Sequence, residues 1–470
     1  MHMEKKFDLI VIGAGPGGYV AAIKAAKLGL STAIIEYREL GGTCLNRGCI
    51  PTKAMLHAAN LYKEIKEAKS FGIFAENVSF DYSKIMEYKE ETCFKLREGI
   101  LSLLKANGVT MITGKATLEK DKIVTVTRDE TVENYRAESI ILATGAVPLK
   151  VPVKGSQLDG VLNSEDLFLL EEVPQSLVIV GGGVIGVEMA KVFSSFHTKI
   201  TLIEAAPRLI SNFDKEIAQS LKMTLKKQGV EVYTSSLLKS IEKDKDGLIC
   251  SFEENGKNRE VLSTYVLFAV GREPNTLGLF GEGVSIKMAG KKVAVDDGFE
   301  TSIKGVYAIG DLSSDIQLAH NAVAQGIHIT QKLGGGSSTE DLSVIPSCIY
   351  TNPEIASVGM TEESAKKAEI PIKVGKFIMS GNGKALISKD ERGFIKVITH
   401  GESGIILGAQ LMCARATDMV GEFAMAITNK LTVDDMLKTV RPHPTYNEAI
   451  TEALEELEGQ GIHVLPKRII

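Results

Sequence analysis

Three observations predict an α/β chain with two doubly wound units and a distinct α+β region at the C-terminus. Near the N-terminus an apolar run leads through a glycine-rich turn into a helical pattern, then into a second apolar run that ends in a glutamate. The same succession recurs in the middle of the chain at the same spacing. From about residue 345 the character changes, with strand-like runs alternating with helices and no further glycine turn. Strands alternating with helices indicate parallel α/β units, and 470 residues exceed what one hydrophobic core supports.

The first unit opens on residues 7–12, Phe-Asp-Leu-Ile-Val-Ile, and continues through Gly13-Ala14-Gly15-Pro16-Gly17-Gly18 into an alanine-rich helix over about residues 19–28. Gly29 ends that helix, and residues 32–35 form a strand leading to Glu36. Glycines at 13, 15 and 18 between a strand and a helix let the backbone approach a pyrophosphate, while the helix N-terminus supplies N–H groups and positive dipole. Glu36, at a strand end, can accept hydrogen bonds from a ribose hydroxyl.

The second unit repeats this. Residues 176–180 lead through Gly181-Gly182-Gly183-Val184-Ile185-Gly186 into a helix running past Glu188, and residues 199–203 end at Glu204. The interval from Gly181 to Glu204 equals that from Gly13 to Glu36. One such match is weak evidence; two, each with an acid at the same place, predict two Rossmann-like dinucleotide sites. Glu204 would repel a 2′-phosphate, and Arg208 lies beyond Pro207, so the second site is read as one for NAD and not NADP.

Three further stretches belong to these units. Residues 139–145 are a strand entering a tight turn at Thr144-Gly145, and residues 306–311 are a strand ending in Gly310-Asp311. Val270-Gly271-Arg272 reads as the exit from the second unit. Residues 214–228 form an amphipathic helix with an Asp214 cap and apolar Ile217, Leu221 and Leu225, which is scaffold.

The formal charge of −5 excludes nucleic acid or an anionic membrane as the main partner. No apolar run is long enough to span a bilayer, and no targeting peptide is recognised before residue 7, so a reducing cytoplasm, or a matrix after processing, is expected. Six cysteines do not make a disulfide scaffold at this size; Cys93, Cys250, Cys348 and Cys413 sit among apolar neighbours as core thiols. Cys44 and Cys49 differ, lying in Gly41-Gly42-Thr43-Cys44-Leu45-Asn46-Arg47-Gly48-Cys49-Ile50-Pro51-Thr52-Lys53. An ideal helix would hold such Cα atoms about 8–9 Å apart, too far for a disulfide, so Gly48 and Pro51 would have to distort its first turn. From spacing alone a redox pair and two ordinary core thiols remain equally open. Near the C-terminus, His443 lies between Pro442 and Pro444 and is followed by Glu448, an arrangement suited to a general base with an orienting carboxylate.

Taken together, the glycine fingerprints, the cysteine motif, Ala143-Thr144-Gly145, Ala308-Ile309-Gly310-Asp311 and His443-Pro444-Thr445-x-x-Glu448 resemble the flavin-dependent pyridine nucleotide–disulfide oxidoreductases over essentially the whole chain. Within them the branch that oxidises dihydrolipoyl groups is the most similar. The resemblance implies FAD held by Gly13, Gly15, Gly18, Glu36, Lys53, Gly114, Thr144, Gly145, Asp311 and Ala319. It implies NAD held by Gly181, Gly183, Gly186, Glu188, Glu204 and Gly271, with Lys53 and Glu188 paired near the flavin. Cys44 would exchange with substrate, Cys49 would face the flavin, and His443 with Glu448 would come from the other protomer of a homodimer. The implied domains are residues 1–148 and 274–344 for FAD, 149–273 for NAD and 345–470 for dimerisation. The substrate would be a dihydrolipoyl group carried by another protein, an acyltransferase core subunit or a glycine-cleavage carrier. A disulfide reductase with another dithiol carrier and an NADH oxidase or diaphorase are the alternatives, and no metal is expected. Family members often carry histidine two positions before the catalytic one, where this chain has Arg441, which bears on the charge at the substrate entrance.

Overall fold

A computed structural model describes residues 5–338 and 340–465 of the chain. It divides into two compact units: Met1–Val151 with Leu162–Glu172 and Gly271–Leu342, and Pro152–Val161 with Val173–Val270 and Ser343–Ile470.

The first unit is built on a parallel sheet in the order Thr110–Thr113, Thr32–Glu36, Lys5–Ile12 and Thr131–Leu142, with Val306–Ala308 pairing parallel to the end of the last. Alternate residues of the central strand face opposite ways, as the pleat requires. Leu9 and Val11 pack with Ala21, Ala22 and Ala25 on one face, while Ile10 and Ile12 join Ile140, Leu142 and Val306 on the other. The helix Pro16–Lys27 starts with Pro at its first turn, where the missing N–H costs nothing, so it begins three residues earlier than its apolar pattern suggests. Its small face admits the helix Ala319–Leu333: a Cβ on Gly326 would lie 2.8 Å from the Gly17 carbonyl. Ile123–Arg128 and Lys115–Leu118 extend the sheet in antiparallel fashion from the first half of Thr131–Leu142.

The second unit repeats the plan with parallel strands in the order Glu231–Thr234, Lys199–Glu204, Ser176–Val180 and Tyr265–Phe268. An antiparallel meander, Ser236–Asp244, Gly247–Glu254 and Lys257–Ser263, precedes the last of them. Asp214 caps the helix Lys215–Lys227 through the N–H groups of Glu216 and Ile217. The C-terminal part of this unit is a five-stranded antiparallel sheet, in the order Ser347–Ile349, Glu354–Gly359, Ile406–Cys413, Phe394–His400 and Ile372–Ile378. Helices Ala416–Thr428 and Glu448–Glu455 share its core through Phe423, Ala449, Ile450 and Ala453. The α/β class with a C-terminal α+β region is thus observed. Among the described residues, no helix is long and apolar enough to cross a membrane.

Candidate active site

The two glycine turns share one backbone geometry. Gly13 has φ +102° and Gly181 φ +111°, a region disfavoured for residues with a Cβ. A Cβ at either would fall 2.4 Å from a carbonyl oxygen, that of Ala143 or that of Ala269. A Cβ on Gly18 would lie 1.9 Å from the Gly13 oxygen, and one on Gly186 the same distance from the Gly181 oxygen. Each turn also engages its strand-end acid. The Ala14 N–H donates to Glu36 Oε2 at 2.8 Å, and the Gly182 N–H donates to Glu204 Oε2 at 2.5 Å.

Gly15 and Gly183 are the caps of twelve-residue helices, neither with a side-chain cap nor with an acid in its first turn. A Cβ on either would meet no protein atom within 4 Å. Helix starts with no side-chain cap and no acid in the first turn, under a surface stripped of side chains, fit a pyrophosphate at both places.

Around the first turn the structure gathers most of the residues expected to hold FAD. The Gly114 N–H donates to the Glu36 carbonyl at 2.9 Å. Thr144 donates through Oγ1 to the Asn275 carbonyl at 2.8 Å, and the Asn275 N–H to that of Gly145 at 2.9 Å. Asp311 lies in a short turn, Gly310–Leu312, after the strand Val306–Ala308, and Ala319 opens the helix that packs on Pro16–Lys27. Burial pushes the Asp311 carboxyl up, while the nearby Arg272 cation pulls it down.

The cysteine segment is docked on the same turn. The Gly41 N–H donates to the Ala14 carbonyl at 2.8 Å, and a Cβ on Gly42 would fall 2.7 Å from the Cα of Gly15. Sequence reasoning expects one distorted helical turn between the cysteines. The structure instead breaks the helix: Gly42–Arg47 carries Cys44, Gly48 departs at φ −148°, ψ −109°, and Cys49–Glu67 starts anew. The break brings the two sulfurs within hydrogen-bond contact. The hydrogen bond that the Cys44 thiol donates to the Cys49 sulfur, together with burial, pushes Cys44 far up, against the pull of the Lys53 cation. Of the other four, Cys93, Cys250 and Cys413 are buried and Cys348 is half-buried.

A cluster that the sequence did not signal steadies this segment. Glu165 faces three guanidinium groups: Arg272 at 3.1 Å, Arg47 at 3.3 Å and Arg38 at 3.4 Å. Arg272 also donates to the Ala146 carbonyl at 2.6 Å. These partners are more than one hundred residues apart, beyond any local spacing signal.

In the second unit Glu204 also accepts from the Ala206 N–H at 2.6 Å. Arg208 is engaged by Glu363 at 2.7 Å, so its charge is already answered by a carboxylate. Glu188 is buried, and its Oε1 accepts from the Tyr350 N–H at 2.9 Å. Gly271, with φ +119°, falls at the first residue of the chain's return to the first unit.

His443 and Glu448 also meet in the second unit. Imidazole Nδ1 lies 2.8 Å from Glu448 Oε1, and the Thr445 N–H donates to Oε2 at 2.8 Å. Burial pushes the Glu448 carboxyl up, but the Thr445 N–H and His443 outweigh it and hold the group below its usual range. The ionised carboxylate fixes the proton on Nδ1 and leaves Nε2 free to accept one, on a ring that is 78% exposed.

Two family models match the chain: pyridine nucleotide-disulphide oxidoreductase over residues 7–326, and the dimerisation domain of the same family over residues 345–454. The chain belongs to the pyridine nucleotide–disulphide oxidoreductase family. Its cofactors are FAD and NAD. It is 40% identical to the dihydrolipoyl dehydrogenase of Geobacillus stearothermophilus, over 98% of each chain, and 39% identical to that of Thermus scotoductus, over 98% and 99%. Among solved structures, LpdA from Mycobacterium tuberculosis is 25% identical with a TM-score of 0.88, over 96% of this chain and 99% of the other. The HOCl-induced flavoprotein disulfide reductase RclA from Escherichia coli is 28% identical with a TM-score of 0.86 and the same coverage.

Proposed function

We propose that this chain is a dihydrolipoyl dehydrogenase, oxidising a dihydrolipoyl group borne by another protein and reducing NAD⁺. The observation that carries the reading is the Cys44–Cys49 pair, brought into contact by the Gly48 break and docked through Gly42 on the first dinucleotide turn. In the oxidised enzyme these cysteines form a disulfide. A substrate thiolate attacks the Cys44 sulfur, giving a mixed disulfide and releasing Cys49 as thiolate. The second substrate thiol loses its proton to Nε2 of His443, contributed by the other protomer of a homodimer, and Glu448 steadies the resulting imidazolium. That thiolate attacks the substrate's own sulfur in the mixed disulfide, so the substrate leaves as its cyclic disulfide and the enzyme keeps both electrons as a dithiol. FAD, held by Gly13, Gly15, Gly18, Glu36, Lys53, Gly114, Thr144, Gly145, Asp311 and Ala319, supplies two-electron redox chemistry that returns the cysteines to the disulfide at the expense of NAD⁺. Gly181, Gly183, Gly186, Glu188, Glu204 and Gly271 would hold that nucleotide, Glu204 offering carboxylate oxygens to its hydroxyl groups.

A lipoyl-bearing core subunit of a 2-oxo acid dehydrogenase or a glycine-cleavage carrier is the partner that presents the substrate, and the cytoplasm is the compartment in keeping with the bacterial relatives. The test is anaerobic titration of the flavin-loaded enzyme with dihydrolipoamide. The reading expects a long-wavelength charge-transfer band after two electrons, lost in Cys49→Ser, and NADH formation abolished in Cys44→Ser. Lipoamide turnover retained by Cys44→Ser would overturn it.

A further inference from the structure

We propose that Arg441 is a positioning residue that sets the His443–Glu448 geometry, an inference resting on the reading of that pair as the proton-transfer couple. An arginine two residues before the catalytic histidine would add positive charge to the site's mouth if it faced outward. It does not: its side chain is only 4% exposed. One guanidinium nitrogen pairs with Glu422 of the helix Ala416–Thr428. A second donates to Thr451 Oγ1 at 2.9 Å and to the Thr439 carbonyl at 3.3 Å.

The partners explain the role. Thr451 lies on the helix Glu448–Glu455, one turn beyond Glu448, and Arg441 itself lies two residues before His443. A single planar fork therefore ties the stretch of chain bearing the imidazole to the helix bearing its carboxylate, and anchors both to a second helix. The intervening loop is closed by the Thr445 hydroxyl donating to the Pro442 carbonyl at 2.7 Å. The ring itself is 78% exposed, so its placement rests on the backbone that carries it. Glu422 answers the buried cation. The remaining charged groups that act on Glu448 or lie beside it are His463, Glu452 and Glu455.

Misplacing a catalytic group by about 1 Å costs on the order of 10²-fold in rate. The test uses flavin-loaded enzyme in which Arg441→Leu and Glu422→Leu are combined, so that neither charge is left buried without its partner. The expected result is a loss of dihydrolipoamide turnover by about 10–100-fold, falling on kcat more than on KM, while NADH oxidation by ferricyanide is unchanged. Arg441→Lys, which keeps the charge but not the fork, should restore only part of the rate. Wild-type turnover in the folded double variant, with His443→Gln inactive, would overturn the inference. Wild-type turnover in His443→Gln would overturn the proton-couple reading itself.

Discussion

Gly42 approaches Gly15 so closely that the space for one methyl group separates a competent chain from a strained one: a Cβ there would stand 2.7 Å from the Gly15 Cα. The relationship couples the cysteine segment to the turn read as binding FAD. Gly42 also has φ +58°, where a residue with a Cβ pays about 1–2 kcal/mol. Gly42→Ala is therefore expected to loosen both elements together. Purified variant should show reduced flavin content and a lower melting temperature; full flavin occupancy at wild-type stability would contradict the coupling.

His443→Gln removes the free Nε2 that the Glu448 contact exposes. Dihydrolipoamide turnover should fall by about 10²–10⁴-fold, the usual contribution of a general base. NADH oxidation by ferricyanide, which bypasses the cysteines, should persist. Stopped-flow comparison of the two reactions separates the outcomes.

Lys396 is buried at 5% exposure between Glu362 at 2.6 Å and Asp214 and Glu216, both at 3.2 Å. Burial lowers its pKa, but the three acids outweigh that and leave it raised above 10.5. Lys396→Met leaves Asp214 buried without its cation and should cost about 3–5 kcal/mol in urea unfolding. Because the folded pKa is raised, the contribution is whole below the unfolded value and fades only as pH climbs through the folded one. A loss that disappeared at neutral pH would show that the cluster is not the cause.

His463 makes the opposite end of the pH range informative. Its Nδ1 lies 2.6 Å from Glu452 Oε1, and that hydrogen bond raises the imidazole pKa. The protonated ring therefore stabilises the fold in full below its unfolded value of about 6.5, and the gain is lost as pH rises through the raised folded value. His463→Asn should lower the melting temperature in acid and converge with wild type in alkali. Parallel melting curves at all pH values would refute the linkage.

How much of this was legible in the sequence depends on how local its cause is. Gly13 and Gly181 announce themselves, because a positive φ beside a carbonyl admits no side chain, and the acid at the same interval completes the pattern. His443 and Glu448 are five residues apart and meet through the loop between them. The strand Thr131–Leu142 is longer than its apolar end at residues 139–142 suggests, because Thr131–Asn134 face solvent and read as a loop. The helix break at Gly48 was only half legible: the glycine marks a distortion, but whether a helix bends or restarts is decided by packing against the first turn. Glu165 and its three arginines leave no trace, since nothing in a linear sequence pairs residues so far apart.

The restart at Gly48 also makes two chemically identical sulfurs unequal. Cys44 sits within a six-residue helix, whereas Cys49 is the first residue of a nineteen-residue one, at the end where its N–H groups converge. Negative charge is favoured there and nowhere comparable on the shorter helix. A dithiol that gives up one proton thus has a preferred address for the electron pair left behind. The backbone thus makes the two sulfurs electrostatically unequal before any substrate arrives.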